Sequence, residues 1–278
     1  MRTKYYGFAS GAITRRCLAI ALWSASLCHP SAPKDADIWH GASAGFSVNW
    51  SDSDILITQS GKHVLSLRAA ALREWHGLGK DANGIAISGQ TTFRVLSLVD
   101  SVLSVEQERY CDCGGAHPSG LRRFLAIDLR SSTLDNPAPT LLSSWFSERE
   151  IFDALRSDPL VRAALKENDG LAPESLSALL VAVNYKTVQV GECRFAFKKD
   201  MLESFAFFSA DPGHVKVRLS LSHAEESCRG QLTQIGIVLT PTAKLTGGLL
   251  SAGRSHDLMN ELRKIAPGTR TVVAFPNK

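Results

Sequence analysis

The sequence predicts an α+β fold in which an antiparallel meander sheet packs against two or three helices, with strands returning in the C-terminal part. Three strand-like runs, TFRVLSL, VLSVEQERY and RFLAIDL, follow one another between Thr92 and Leu129. Capped apolar stripes typical of helices occupy residues 147–183, and alternation of apolar and polar residues resumes at 215–222. Strands and helices that are segregated along the chain favour an α+β fold over a parallel α/β sheet.

The meander is predicted from the two short links between its strands. The first link is Val99-Asp-Ser101, and the second is Cys111-Asp-Cys-Gly-Gly-Ala-His-Pro118. Consecutive strands joined by short links pair antiparallel. The two glycines supply positive φ values, and the proline removes a donor and pushes the preceding residue into an extended conformation. The second link is therefore predicted to be a tight reversal.

Helix-start signals place the helical region. Ser147-x-x-Glu150 is a capping box in front of an apolar stripe. Asp158-Pro159 supplies a second N-cap with proline at the first helical position, and a third helix is expected from Pro173 to Val183.

The remaining strand and helix predictions lie at the two ends of the chain. Short strands are expected at Phe46–Trp50 and Ile55–Thr58, and the period of residues 63–75 is unsettled, because strand-like HVLSL runs into helix-friendly RAAALREW. Near the C-terminus we expect a strand at Leu232–Thr240, a helix over residues 255–265 and a short strand over residues 271–275.

The N-terminus is typical of an export signal. Residues 1–16 are basic and lack acids, residues 17–28 are apolar, and small residues follow. Such a run is too short to cross a membrane, which takes about 20 apolar residues. An uncleaved amphipathic anchor is the alternative. The predicted organisation is a signal peptide (1–32), a flexible leader (33–44), a single α+β domain (45–245) and a C-terminal extension with a short helix and strand (246–278).

The charge pattern argues against nucleic acid as a partner. The formal net charge is +4, but four of the 31 basic residues and none of the 27 acidic residues lie in residues 1–32. The exported part is therefore near neutral, without the basic surface that binding a phosphate backbone requires. We expect a periplasmic or secreted bacterial envelope protein without a transmembrane segment after signal cleavage.

Four cysteines remain after the predicted signal, and they allow three disulfide connectivities. We favour a bridge between Cys193 and Cys228, joining two C-terminal strands. A bridge between Cys111 and Cys113 would strain an extended strand, whose i and i+2 side chains lie about 6 to 7 Å apart. The fate of this pair is left open. Cys111, Cys113 and His117 could supply three metal ligands, but no second CxxC-like pair accompanies them, and we expect neither a metal site nor a cofactor.

The run VLSVEQERYCDCGGAHPSGLRRFLAIDLR resembles the extracytoplasmic domain shared by the lysozyme-sensing anti-sigma factor RsiV and the peptidoglycan deacetylase PdaC. Similarity covers roughly residues 92–241, including LLSSWF and the later runs CRFAFKKDMLESFAFF, KVRLSLS and QIGIVLTP, and it is weaker over 45–91. The deacetylase metal ligands are missing, so none of that catalysis is implied. The resemblance implies an envelope module whose partner is peptidoglycan or a lysozyme-type glycan hydrolase.

These observations predict a non-catalytic exported cell-envelope binding module. The candidate ligand-binding residues form the reversal: Gly114, Gly115, Ala116, His117 and Pro118. His117 could display a functional imidazole, although a structural role in the turn is favoured. A structural envelope protein without a dedicated ligand is a further alternative.

An envelope esterase or other hydrolase is the main alternative function. Gly41-Ala-Ser-Ala-Gly45 matches the nucleophile-elbow pattern, with Ser43 as nucleophile, but FSVNW after it is strand-like where a helix is required. The adjacent residues Ser255-His256-Asp257 cannot converge as a triad and are better interpreted as a helix N-terminus.

Two further sets of residues have a functional and a structural interpretation. Glu106 and Glu108 share a strand face and could flank a sugar, although such carboxylates are usually solvated. Four tryptophans could stack on glycans, although most tryptophans are buried: Trp39, Trp50, Trp75 and Trp145.

Overall fold

The computed structural model describes residues 36–79, 87–114, 117–166 and 172–275. Within these ranges it confirms the α+β class, with three antiparallel sheets and six α-helices. The predicted signal peptide lies outside the described residues. None of the helices in these ranges has the length and apolar character needed to cross a membrane.

The first sheet is a chain of tight hairpins. Its strands, in order β1-β2-β3-β4, are β1 (Asp37–Ser43), β2 (Phe46–Ser51), β3 (Ile55–Gln59) and β4 (Lys62–Ser66). Ala44-Gly45 and Ser60-Gly61 both have positive φ at each position, which is the two-residue hairpin turn that matches strand twist. Much of the segment predicted as a flexible leader therefore forms β1.

Helix α1 (Leu67–Leu78) follows β4 directly. The hydroxyl of Ser66 accepts a hydrogen bond from the Ala69 N–H at 3.0 Å and caps the helix. Ala71 and Trp75, one turn apart, are both buried, and the helix ends at Gly79 with φ of 65°. The unsettled stretch is thus a strand and a helix that meet at Ser66.

The predicted meander is confirmed as the central sheet. Its strands are β5 (Ser88–Val99), β6 (Val102–Asp112) and β7 (Ser119–Asp128), paired antiparallel in that order. A bulge between Val95 and Ser97 shifts the register of β5. The predicted link at residues 99–101 is a tight turn with Asp100 at φ of 50°.

The three predicted helices follow the meander as α2 (Glu148–Ser157), α3 (Pro159–Lys166) and α4 (Leu176–Val183). The Ser147 hydroxyl accepts from the Glu150 N–H at 3.3 Å, as a capping box requires. The Glu150 carboxylate, however, accepts from the backbone N–H of Thr240, so it joins α2 to a later strand end. Asp158 caps α3 through the Leu160 N–H at 2.8 Å.

The third sheet contains the C-terminal strands. They are β8 (Thr187–Val190), β9 (Cys193–Ala196), β10 (Phe205–Asp211), β11 (His214–His223) and β12 (Leu232–Leu239). Strand β11 pairs with β10, β12 and β9. Its predicted alternation is confirmed, because Val215, Val217, Leu219 and Leu221 are all almost fully buried.

The C-terminal segment, predicted as an extension with a short helix and strand, contains two helices and a strand. It forms α5 (Ala243–Ser255), α6 (Met259–Leu262) and β13 (Thr271–Phe275), and β13 pairs with β5 at the edge of the central sheet. The Thr271 hydroxyl also donates to the Ser51 carbonyl at 2.6 Å and joins this edge to the first sheet. The described residues of this segment, 246–275, therefore pack with the preceding strands.

The helix predicted over residues 255–265 is confirmed only in its middle, as α6 (Met259–Leu262). Helix α5 ends at Ser255, and His256 has left-handed φ of 61° at its C-cap. Apolar side chains at helical spacing anchor α5 further upstream, namely Leu245, Leu249 and Ala252. Because α5 is glycine-rich, its helical pattern was missed.

The central sheet is covered on both faces. One core cluster lies toward the first sheet and α1 and includes Trp75, Phe93 and Val105. The other lies toward the third sheet and α2–α5. Hydroxyls join the central and third sheets: Ser97 and Ser220 accept from the backbone N–H groups of Phe207 and Phe124, at 3.2 and 2.9 Å.

Close approach of α5 to the β5–β6 turn predicts the effect of two adjacent substitutions. A Cβ added at Gly248 would lie 2.9 Å from the Cβ of Asp100 and 3.0 Å from its backbone nitrogen, whereas a Cβ at Gly247 would meet nothing within 4 Å. We expect Gly248→Ala to lower the free energy of unfolding by about 1 to 3 kcal/mol. Gly247→Ala should raise it by up to about 1 kcal/mol, because alanine favours helix. Urea unfolding measures both, and equal effects would contradict the close approach.

Candidate binding cleft

The predicted reversal lies at the end of the β6–β7 hairpin, whose pairing extends to Cys111 and Ser119. Gly114 has the positive φ expected of it, at 80°, and His117 is exposed. Gly115 and Ala116 lie outside the described residues. Of the candidate ligand-binding residues, the structure therefore places Gly114, His117 and Pro118 at an exposed hairpin end, outside the cleft described below.

The start of β7 lies against the 3₁₀ turn Glu226–Cys228. A Cβ added at Gly120 would lie 2.6 Å from Cγ of Arg229, which follows this turn. A hydrogen bond from Arg229 and its positive charge hold the pKa of Glu226 below its usual value, and His117 contributes in the same direction.

Both cysteine pairs are formed. Cys193 and Cys228 are bridged with Cα atoms 5.7 Å apart, which confirms the favoured disulfide. The prediction that both cysteines lie in strands was wrong for Cys228, which lies in the 3₁₀ turn. Cys111 and Cys113 are also paired, with Cα atoms 5.3 Å apart, because β6 ends at Asp112 and Cys113 is no longer extended strand. Their sulfur atoms are therefore not available to the hypothetical metal site with His117.

The serine patterns do not form nucleophile sites. Ser43 is the last residue of β1, and Ala44-Gly45 leads directly into β2, so the GxSxG stretch is a hairpin and not a strand-to-helix elbow. Ser255, His256 and Asp257 span the C-terminal end of α5, not a helix N-terminus. The Asp257 side chain is buried, while His256 is exposed.

The four candidate tryptophans pack in or against the hydrophobic core and are not displayed for stacking on a glycan. Trp50, Trp75 and Trp145 have at most 6% of their surface exposed. The indole nitrogens of Trp75 and Trp145 donate to threonine hydroxyls, at 3.0 and 3.2 Å. Trp39 is half-buried, and its ring covers Gly41 so closely that an added Cβ would collide with it. The structural interpretation applies to these four residues.

A cleft of about 370 Å³ lies between α1, the central sheet and the loop of residues 131–139. Pockets for small ligands in proteins begin at about 300 Å³. The floor is apolar and comprises Leu67, Ala71, Phe93 and Leu125. Phe93, Gln107 and Arg123 lie directly opposite one another across β5, β6 and β7, so they project from the same face of the sheet.

Charged and amide groups surround this floor. Arg73 pairs with Asp135 at 3.3 Å, and Glu74 pairs with Arg109. Arg123 donates through Nε to the Gln107 side-chain oxygen at 3.0 Å. Because both rim carboxylates are ion-paired, the cleft offers an apolar surface bordered by fixed donors and acceptors, which is the usual construction of a binding site.

The third wall of the cleft is held in place by backbone hydrogen bonds. The Ser66 N–H donates to the Leu134 carbonyl at 2.8 Å, and Thr133 and Asn136 exchange backbone bonds. The Ser132 hydroxyl donates to the Asp128 carbonyl at 2.8 Å. These bonds explain how a Ser-, Asn- and Pro-rich loop keeps one conformation beside the sheet.

The sequence did not indicate this cleft. Its residues come from α1, whose period was ambiguous, from three strands and from a loop. The cross-strand alignment of Phe93, Gln107 and Arg123 on one face of the sheet is the signal that could have suggested it, once the register is known.

On the opposite face of the same strands, the prediction that the Glu106 carboxylate is solvated was wrong. Glu106 is 9% exposed, and its Oε1 accepts from Arg122 Nε at 2.9 Å and from Arg270 Nη2 at 3.1 Å. Glu108, two residues along, is half-buried. Glu106 is therefore a buried ion-pair partner.

Comparison with protein-family models, curated proteins and solved structures finds no match for this chain. The resemblance of residues 92–241 to the envelope domain of RsiV and PdaC stays a prediction.

The Cys193–Cys228 bridge predicts a large loss of stability on its removal. The two residues are 35 positions apart, and closing a loop of this length in the unfolded chain corresponds to about 4 kcal/mol. We expect the double variant Cys193→Ala/Cys228→Ala to lose about that free energy of unfolding in urea. Cys111→Ala/Cys113→Ala is the matched control and should lose much less. Equal losses would contradict this assignment of the stabilising bridge.

Asp257 predicts a specific pH dependence. Burial raises its pKa from 3.8 to about 6, opposed by His256. The folded state therefore prefers the protonated form of Asp257. The contribution of Asp257 to the free energy of unfolding is greatest below pH 3.8 and is lost as the pH rises through 6, a change of about 3 kcal/mol. The free energy of unfolding of Asp257→Asn minus that of the wild type should therefore be larger at pH 7.5 than at pH 3.5 by about 3 kcal/mol. Urea unfolding at both pH values tests this, with the exposed Asp112→Asn as control. Parallel pH profiles for the wild type and Asp257→Asn would contradict it.

Proposed function

We propose that this protein is a non-catalytic, exported cell-envelope binding module that takes a fragment of peptidoglycan in the cleft between α1 and the central sheet. The observation that carries the proposal is the cleft itself, with its apolar floor, fixed polar rim and volume of about 370 Å³.

Export is supported by the cysteines and by the sequence of residues 1–32. Two disulfides are characteristic of an oxidising compartment such as the periplasm or the cell exterior. The basic and then apolar N-terminal sequence is typical of a secretory signal.

Peptidoglycan is supported by the resemblance and by the chemistry of the cleft. A fragment of this polymer combines sugar rings and short apolar side chains with amides and carboxylates. The floor around Phe93 and Leu125 suits the apolar parts. Arg73, Arg123 and Asn136 on the rim suit the amides and carboxylates. A lysozyme-type protein would instead need a contact surface of about 800 Å² on each partner.

Two glycines provide a matched test of the cleft. Gly77 in α1 lines the cleft, Gly253 in α5 does not, and a Cβ at either would meet nothing within 4 Å. Leucine at position 77 should fill the cleft, while leucine at either position should favour helix. We expect the wild type and Gly253→Leu to bind soluble peptidoglycan fragments equally in isothermal titration calorimetry. Gly77→Leu should bind at least about tenfold more weakly, a change of 1.4 kcal/mol.

Other outcomes would overturn the proposal. If no fragment of any composition gives saturable binding, the cleft does not serve peptidoglycan. If lysozyme binds and both leucine variants retain that binding, the partner is a protein that uses another surface. Turnover of a generic ester that is lost on Ser43→Ala would favour the esterase instead.

A further inference from the structure

The face of the central sheet opposite the cleft contains a second cavity, of about 270 Å³, which we call the arginine cavity. Its lining includes four guanidinium groups, one carboxylate and one amide: Arg94, Arg122, Arg263, Arg270, Glu106 and Gln234.

Strand pairing and the C-terminal segment bring these residues together. Arg94 on β5 lies directly opposite Glu106 on β6, and Arg122 lies on β7. Arg270 immediately precedes β13, which pairs with β5, and Arg263 follows α6. Residues far apart in the sequence thus surround one space, which is why no local motif indicated it.

Positive charge is in excess in the arginine cavity. Glu106 is the only carboxylate among the described lining residues, and it accepts hydrogen bonds from Arg122 and Arg270 through Oε1. Counting the half-buried Glu108, which pairs in register with Arg122, two carboxylates still face four guanidinium groups. Like charges in a partly buried site repel strongly unless a counter-charge is present.

Two arginines have separate anchors that fix their positions. Arg94 donates to the carbonyls of Ile265 and Pro267, at 2.9 and 3.3 Å, and so holds the chain after α6. The Arg263 guanidinium lies over the Phe208 ring, 5.7 Å from its centroid. These anchors hold the positive groups around the cavity without neutralising them.

Buried polar atoms in the arginine cavity are not satisfied by the protein. Nη1 of Arg270 and Oε1 of Gln234 are buried without a hydrogen-bond partner. Leaving a charged buried donor unpaired is costly, at about 1 to 3 kcal/mol or more. Burial also lowers the pKa of Arg94, and the nearby positive charge of Arg270 acts in the same direction.

We propose that the arginine cavity binds a small oxyanion of the phosphate class. A phosphate dianion would neutralise the excess charge and accept from Arg270 Nη1, and guanidinium groups match its oxygens in bidentate geometry. The volume exceeds the ~30 Å³ share of one water several-fold, so it can hold a phosphoryl group with part of an attached molecule. Free phosphate and a phosphoryl group on a larger envelope molecule share this chemistry.

Titration of the purified protein with inorganic phosphate tests the proposal, with sulfate, acetate and chloride compared at constant ionic strength. We expect saturable binding by calorimetry and a rise in Tm with phosphate, weaker effects with acetate, and none with chloride. A phosphomonoester and a phosphodiester then distinguish the sources, since tighter binding of either ester than of inorganic phosphate indicates a phosphoryl group on a larger molecule.

Arg270→Gln and Arg254→Gln form a matched pair, because each removes one positive charge and Arg254 is exposed on α5 away from the cavity. Arg270→Gln should weaken phosphate binding at least about tenfold, as loss of a hydrogen bond to a charged group does, while Arg254→Gln leaves it unchanged.

A further variant separates binding from folding. Glu106→Gln removes the opposing carboxylate and should tighten phosphate binding even where it lowers stability. Equal responses to all anions, or unchanged binding by Arg270→Gln with a Tm equal to that of the wild type, would overturn the proposal. If Arg270→Gln does not fold, weaker or unchanged phosphate binding by Glu106→Gln overturns it.

Discussion

The register of the β5–β6–β7 meander is the constraint on which the rest of the structure depends. Both faces of this sheet are covered, so a slip of one residue would move every side chain to the opposite face. The first sheet and α1 pack on one face, and the third sheet, α5 and α6 pack on the other. Phe93 then belongs to the cleft and Arg94 to the arginine cavity only because the register is fixed.

The sequence predicted the elements whose signals are local. Alternation in β11, the caps of α2 and α3 and the positive φ of Gly114 in the reversal are each indicated by consecutive residues, and each is found in the structure. Helix α5 was missed because its glycines conceal a pattern that burial of Leu245 and Leu249 establishes. The cleft and the arginine cavity were missed for another reason: their residues become neighbours only through strand pairing, which a single sequence does not reveal.

The described residues at the end of the β6–β7 hairpin have structural roles that the sequence does not distinguish from ligand binding. The Cys111–Cys113 pair closes the end of β6, and Cys111 lies in the core cluster that contains Trp75. Gly120 leaves room for Arg229, which orders the turn carrying Cys228. The described residues of the reversal thus connect two structural features, the disulfide-closed end of β6 and the contact of β7 with the turn of Cys228, while the Asp112 and His117 side chains are exposed to solvent.

The two faces of the meander differ in how well polar groups are matched to their surroundings. Around the cleft, each rim carboxylate has an arginine partner, so no described acidic group on the rim lacks a counter-charge. In the arginine cavity, local charge and burial conflict, because hydrophobic packing of Phe124, Leu96 and Met259 holds guanidinium groups close together. Proteins usually violate such local rules where function requires it. Packing for stability alone does not explain this excess of guanidinium groups, and a bound anion does.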